Sequence, residues 1–395
     1  KSRRKVAPDT MPPMPGPTIF LSATEVSADL HGADLIRAIR ARSPSARIVG
    51  LGGPAMIREG LECRRNMLKF AVMLADFVDR IPAFIRLWRE TAREFRASPP
   101  DVFVPIDSPG IHLVLARSAT RAGVPVAYYV CPQIWAWGAW RVHKIRNRVD
   151  RMLTLFKFEG EVLRRGDVPH AFVGHPLVDR IEAFRPDPGF LESVGAQGTL
   201  PVALFPGSRI RVLAKNLPVM ARAAARIQRS LPDACFLVPA PDEELQAAAD
   251  AVLSAEGVRH RTFLGRSFDA LAACRLALVS SGTGALEAAL FDRPTVVVYG
   301  LSAFDWVMQP AFVRLDRISL PNILAGDGIV PEFVSWRISA EAVAQAALRL
   351  LSDPAAREAQ RQGFERVRGE LGPPGAAGRA AEEILEVARK GRKGS

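Results

Sequence analysis

The 395-residue sequence contains no uninterrupted apolar run long enough to span a membrane and no signal-peptide pattern. A soluble or peripheral protein, cytoplasmic by default, is expected. Cysteine is scarce: Cys63, Cys131, Cys235 and Cys274 are widely spaced, with no C-x-x-C pair. That spacing argues against a disulfide framework or zinc site and for free thiols among apolar neighbours. Three nucleotide-site signatures are also missing: G-x-x-x-x-G-K-[ST], a G-x-G-x-x-G after the first strand, and D-x-D. A P-loop, a dinucleotide site and a metal-bridged diphosphate are therefore not indicated, and no metal or cofactor is expected. Zinc-finger spacing, RNP-like aromatics and a Lys-rich helix face are absent too, which makes nucleic acid the weakest partner.

What is present is positive charge, a formal +12 with a pI of about 10.2. Part of it sits in the ends, KSRRK and RKGRKGS. The remainder suits an anionic membrane surface or phosphorylated substrates. With 48% hydrophobic and 24% charged residues, the chain can bury sizeable cores, and its length favours two domains.

Short apolar strands alternate with helical segments. TIFLSA (18–23), ARIVGLG (46–52), DVFVPID (101–107), VPVAYYV (124–130) and RMLTLF (151–156) form one series, closed by AFVGHPLVD (171–179). PVALFPGSR (201–209), ACFLVPA (234–240), HRTFLG (260–265), RLALVSSG (275–282) and PTVVVYG (294–300) form a second. This pattern predicts an α/β protein with two Rossmann-like, doubly wound parallel-sheet domains facing a cleft. The expected division is a disordered basic, Pro-rich tail (1–17), a first domain (18–184), a linker (185–199), a second domain (200–339), and C-terminal helices with a basic tail (340–395). One segment, 67–95, is unusually apolar, with Phe70, Phe77, Phe84 and Trp88 among arginines. It reads either as a core helix pair broken at Pro82 or as an exposed surface for membrane or acyl chains.

Two turns in the second series can carry chemistry. FPGSR places Gly207, Ser208 and Arg209 at a strand's carboxyl end, where backbone N–H groups and a guanidinium suit a diphosphate. SSGTGALE places Ser281, Gly282 and Thr283 at a helix start, with Glu287 one turn in. The helix start offers donors to an anion. Glu287 either accepts from ribose hydroxyls or complements the helix dipole. Each turn also reads as a plain strand-to-helix connection. Together they suit metal-independent sugar transfer from a nucleotide sugar.

The motifs TEVSADLHGADLIRAIR (24–40), VFVPIDSPGIHL (102–113), YYVCPQIWAWGAWRVHKI (128–145), FVGHPLVD (172–179), FPGSR, SSGTGALEAAL and SLPNILAG (319–326) occur in that order. In them the chain resembles the lipid-A-disaccharide synthases, inverting glycosyltransferases of the GT-B fold. The resemblance implies transfer from UDP-2,3-diacylglucosamine to 2,3-diacylglucosamine 1-phosphate, giving a β-1,6-linked disaccharide 1-phosphate and UDP. It implies work at the cytoplasmic face of the inner membrane, on an anionic surface, and allows a homodimer through the Ala-rich C-terminal helices. It places Asn322 with the UDP-sugar site, and Ser27, Trp135, Arg141 and Lys144 with the acceptor. Two family patterns are altered. I-D-S-P-D-F-N is IDSPGIHL here, with Gly110 in place of the acid and His112 in place of Asn; A-G-E-x-S-G-D is SATEVSAD. The candidate catalytic residues are Asp107, Glu25, Asp29 and His112. Asp107 is the first choice of base or a helix cap, Glu25 and Asp29 are acids or capping and ion-pairing groups, and His112 is a substituted base or a locally bonded ring. A transferase with a different acceptor, or a weakened UDP-sugar- or lipid-binding paralogue, are the alternative readings.

Overall fold

The computed structural model describes residues 16–67, 77–134, 141–194, 199–302 and 317–393; the side chains of 77–81, 141, 392 and 393 lie outside that description. The chain divides into two compact units. One runs to Ile134 and on to Pro176, then takes back the chain from Gly375; the other comprises Leu177–Pro374.

The first unit holds seven strands: β1 (Thr18–Ala23), β2 (Arg47–Gly52), β3 (Glu62–Asn66), β4 (Val102–Ile106), β5 (Ala127–Tyr129), β6 (Arg151–Thr154) and β7 (His170–Phe172). Their order is β3-β2-β1-β4-β5-β6-β7, and every pairing is parallel. Central strands covered on both faces read as unbroken apolar runs, and all five residues of β4 are buried. Alternation sends Phe20 and Phe103 to one face, where both meet Phe95 with ring centroids 5.1 Å away. Phe95 comes from the helix Phe77–Ala97, which packs beside the helix Pro109–Arg121. Phe77–Ala97 is one continuous helix with Pro82 inside it, so the expected break at Pro82 is not there.

The second unit holds β8 (Leu200–Phe205), β9 (Ala234–Ala240), β10 (His260–Leu264), β11 (Leu276–Val279), β12 (Thr295–Gly300) and β13 (Glu332–Ser335). They are ordered β10-β9-β8-β11-β12-β13 and again all parallel. Part of the segment expected as a linker is instead the helix Pro188–Val194. Phe190 and Val194, one turn apart, are buried with Leu237 and Ala270 of this unit.

The last helix, Ala376–Lys393, belongs to the first unit, where it packs on the helix Val26–Arg42 and on β4, β5 and β6. Arg42–Glu382 and Arg151–Glu383 pairs at 2.9 and 2.7 Å fasten it. Ala376, Ala380, Ala381 and Ala388 are buried there. The Ala-rich face is consumed by its own unit and gives no support to a homodimer. Cys131, Cys235 and Cys274 are buried free thiols, and Cys63 is half-buried and free.

Candidate active site

In both sheets the strand order reverses between the first strand and the fourth, and a doubly wound sheet binds ligands outside the carboxyl ends of its strands at that reversal. In the first unit those ends are Ala23 of β1 and Ile106 of β4; in the second they are Phe205 of β8 and Val279 of β11. The residues that follow them are the motif residues: Glu25, Asp107, Gly207–Arg209 and Ser281–Thr283.

Asp107 sits in a strained turn. Asp107 and Ser108 both have left-handed backbone, φ 54° and 48°, and so does Val130 after β5, at φ 70°. Such conformations are costly outside glycine, most of all for a β-branched residue. What holds the turn is a clasp on the Asp107 carbonyl, which accepts from Tyr128 Oη at 2.6 Å and from His112 Nδ1 at 2.6 Å. With Nδ1 donating, His112 Nε2 is the acceptor for the Ser22 hydroxyl at 2.9 Å. Thr24 Oγ1 donates to Ser108 Oγ at 2.7 Å and joins the ends of β1 and β4. Burial and the charge of Glu25 raise the Asp107 carboxyl above the usual range, against a backbone hydrogen bond from Ser108.

The other candidates of this unit separate by what they touch. His112 is fully buried, its pKa lowered by burial to about 4, and both ring nitrogens are engaged. It is a strut, and the reading as a substituted base fails for want of a free nitrogen. Asp29 is also buried; its carboxylate accepts from Gly53 N at 2.7 Å, Ala55 N at 2.8 Å and Met56 N at 3.2 Å. It caps the helix Pro54–Arg58. Glu25 and Ser27 are exposed beside Val26 and Leu30, which stand 65% and 40% exposed. Gly110 is exposed on the first turn of its helix, and a Cβ there would meet nothing within 4 Å. Lys144 is exposed; Trp135 and the Arg141 side chain lie outside the described residues. So do Phe70 and the Phe77 side chain, whereas Phe84 is half-buried. Trp88 packs against the core of the unit and donates its indole N–H to Ser118 Oγ at 2.8 Å.

In the second unit, a pocket of about 260 Å³ opens at the carboxyl ends of β8, β9, β10 and β11. Pro206, Gly207 and Ser208 line one side, Ser280–Gly284 and Glu287 another, and Pro239–Pro241, Gly265 and Ser267 complete it. Gly207 has φ +131°, and a Cβ would fall 2.6 Å from Val212 Cγ1. Gly282 caps the helix Thr283–Leu290 at φ +142°, with open space where a Cβ would point. A ligand can thus approach that helix start along bare backbone. Arg209 is exposed at the start of the helix Ile210–Ser230.

Two expected ligand contacts are spent on the protein itself. The Ser281 hydroxyl donates to Ile318 O at 3.0 Å. Asn322 is buried, its amide donating to Val330 O at 2.9 Å and Glu332 Oε1 at 2.6 Å and accepting from Val330 N at 2.8 Å. Asn322 therefore fastens the SLPN segment rather than offering its amide to a sugar. The sequence reading missed Tyr128 and Ser22, which support the Asp107 turn of the first unit, and, in the second unit, Glu332 and Asn216, the latter bridging Pro206 O and Gly300 N. All are polar residues inside or beside apolar runs, and that burial was the available signal.

Burial pushes the Glu287 carboxyl up to about 7, against the pull of Arg180. A carboxylate accepting ribose hydroxyls must lose its proton on binding. Affinity for a UDP-sugar, whose diphosphate does not titrate near neutrality, should then rise about tenfold from about pH 6 to about pH 8. Calorimetry on the parent and Glu287→Gln measures this; the same slope in both would remove Glu287 from the ligand's contacts.

The profile of the lipid-A-disaccharide synthetase family matches residues 19–377. A lipid-A-disaccharide synthase from Alkalilimnicola ehrlichii is 39% identical over 94% of this chain and 98% of its own. Among solved structures, a UDP-GlcNAc 2-epimerase from Neisseria meningitidis bound to UDP-GlcNAc aligns at TM-score 0.61 and 11% identity, covering 94% of this chain and 99% of its own. UGT89C1 of Arabidopsis thaliana complexed with UDP aligns at 0.60 and 14%, covering 95% and 100%. These likenesses establish the GT-B fold. The chain belongs to the lipid-A-disaccharide synthase family, glycosyltransferases that form the disaccharide of lipid A.

Proposed function

We propose that this chain transfers 2,3-diacylglucosamine from its UDP derivative to the 6-hydroxyl of 2,3-diacylglucosamine 1-phosphate, with Asp107 as the base. The observation that carries the reading is the placement of both candidate sites at the strand-order reversals of their sheets. Asp107 takes the proton from the acceptor hydroxyl as that oxygen attacks C1 of the donor sugar, and UDP leaves from the opposite side, inverting C1. Charge growing on the departing diphosphate is met by Arg209, the Ser208 hydroxyl, and the backbone N–H groups of the turn Ser281–Thr283. Glu287 holds the ribose.

Glu25 raises the basicity of Asp107 as a neighbouring carboxylate, and Asp29 and His112 hold the frame. Ser27, Lys144 and Arg141 are assigned to the acceptor, Trp135 to its sugar, and exposed Val26 and Leu30 suit its acyl chains. Phe70, Phe77 and Phe84 are assigned to an anionic membrane surface at the cytoplasmic face of the inner membrane; Trp88 is a framework residue. Among the described residues no helix is long and apolar enough to cross a membrane. The deciding measurement is UDP release with and without detergent-dispersed diacylglucosamine 1-phosphate. Release that depends on this acceptor is expected; release only with another acceptor, or UDP binding without turnover, would replace the reading with a different transferase or a binding protein.

A further inference from the structure

We propose that the groove between the helices Phe77–Ala97 and Pro109–Arg121 is a binding site for the phosphate of an anionic phospholipid, separate from the sites for the reacting substrates. The groove is about 380 Å³ and is lined by Trp88, Arg89, Ala92, Arg93, Arg96, Ser118, Arg121 and Ala122. Every charged residue on its walls is an arginine. The acids Glu90 and Glu94 of the same helix are paired across to Arg65 and Arg64, at 2.9 Å each. Arg89, Arg93 and Arg121 have no ion-pair partner among the described residues.

The positive charge extends behind the groove. Arg148, whose Nη1 donates to Leu113 O at 2.9 Å, is held below the usual arginine range by burial and by Arg117 and Arg121. Like charges gathered without a counter-charge raise the energy of the free protein and are relieved by an anion. The groove is also fixed in shape, because the Trp88–Ser118 hydrogen bond ties its two helices together. Guanidinium groups on two helices offer the forked donors that a phosphate accepts.

Position separates this site from the chemistry. Arg121 ends the helix that begins at Pro109, so at the usual rise it lies roughly 18 Å along the axis from the Asp107 turn. An acceptor phosphate one sugar ring away from its reacting hydroxyl does not span that distance. The lipid source follows from the same helix, which carries half-buried Phe84 and Ile85 one turn before Trp88. Hydrocarbon contact thus adjoins the arginines. The proposal rests on lipid-borne substrates only for this choice of source.

The test is co-sedimentation with phosphatidylcholine vesicles with and without phosphatidylglycerol, beside UDP release in detergent as a separate readout. The parent should bind the anionic vesicles. Arg93→Glu with Arg121→Glu should weaken that binding at least about tenfold, and Ala92→Trp, which fills the groove without changing charge, should weaken it too. Arg222→Glu with Arg229→Glu, an equal charge change on the exposed side of Ile210–Ser230, should do much less. UDP release in detergent should stay at the parent level in all of them, so a protein inactive in detergent would refute the proposed reaction without touching this site. Inorganic phosphate should release the parent from vesicles at lower ionic strength than sodium chloride. Equal losses in both charge pairs, full binding by Ala92→Trp, or saturable binding of inorganic phosphate with no gain from anionic vesicles would each overturn the proposal.

Discussion

Asp107→Asn is expected to cut turnover by at least about a hundredfold, in the range typical for loss of a general base, while UDP affinity stays at the parent value. Asparagine is the informative replacement because it keeps the shape and tolerates the left-handed backbone that Asp107 adopts, φ 54°. The Tyr128 and His112 bonds go to the residue's carbonyl, and they survive the change. What is removed is the carboxylate, so a large loss is a chemical loss rather than a collapsed turn. The pocket proposed for UDP is lined by residues of the second unit, from Phe205 to Glu287, and Asp107 belongs to the first, so donor binding is the internal control. The raised carboxyl pKa of Asp107 adds a sign. Parent activity should fall as pH drops through a value above the ordinary aspartate range, because the base is then protonated.

Gly110 supplies the complementary variant. It has room for a side chain, and an acid on the first turn of a helix is favourable, so Gly110→Asp should fold like the parent. If Asp107 is the base, this change moves turnover by no more than a few-fold. A Gly110→Asp enzyme many times faster than the parent, or an Asp107→Asn enzyme with full turnover, would show that the base is elsewhere.

The two sheets were legible because their central strands are buried on both faces and read as continuous apolar runs. The strands that escaped are the edges on opposite sides of that rule. β3 is ECRRN and β13 is EFVS, neither with a fully buried residue. Edge strands face solvent along one side and are kept short and charged, so their sequence carries little strand signal. The final helix was legible as a helix, but not as part of the first unit, since its Ala-rich face fits any apolar partner. At the candidate site, the motif residues follow the carboxyl ends of β1, β4, β8 and β11, as the apolar runs before them imply. The sequence could not say which polar side chains face a ligand and which face the protein. Asp29, His112 and Asn322 all fell on the protein side, because each is surrounded by backbone groups that only a buried polar side chain can satisfy.

Glu332 should be the second most sensitive position, although it lines no part of the pocket. One carboxylate oxygen accepts from Ser319 N, the Ser319 hydroxyl and Asn322 Nδ2; the other accepts from Ile318 N at 3.0 Å. Ile318 in turn offers its carbonyl to the Ser281 hydroxyl, so the carboxylate on β13 holds the turn at the start of Thr283–Leu290 through one intervening residue. Glu332→Ala leaves four donors without this acceptor, three of them on buried Ser319 and Asn322. Each unsatisfied buried donor costs about 1–3 kcal/mol, with neighbours not additive, and a combined loss of about 3–5 kcal/mol is expected from the denaturation midpoint. In the protein that remains folded, release of Ile318 should loosen the Ser281 turn and weaken UDP binding about tenfold, the equivalent of one lost hydrogen bond of about 1.4 kcal/mol. Ser281→Ala separates the two effects. It keeps the Glu332 network and cuts only the last link, so it should reproduce the weaker UDP binding with a much smaller change in midpoint. If Glu332→Ala binds UDP like the parent, the network stabilises the fold without positioning the nucleotide turn.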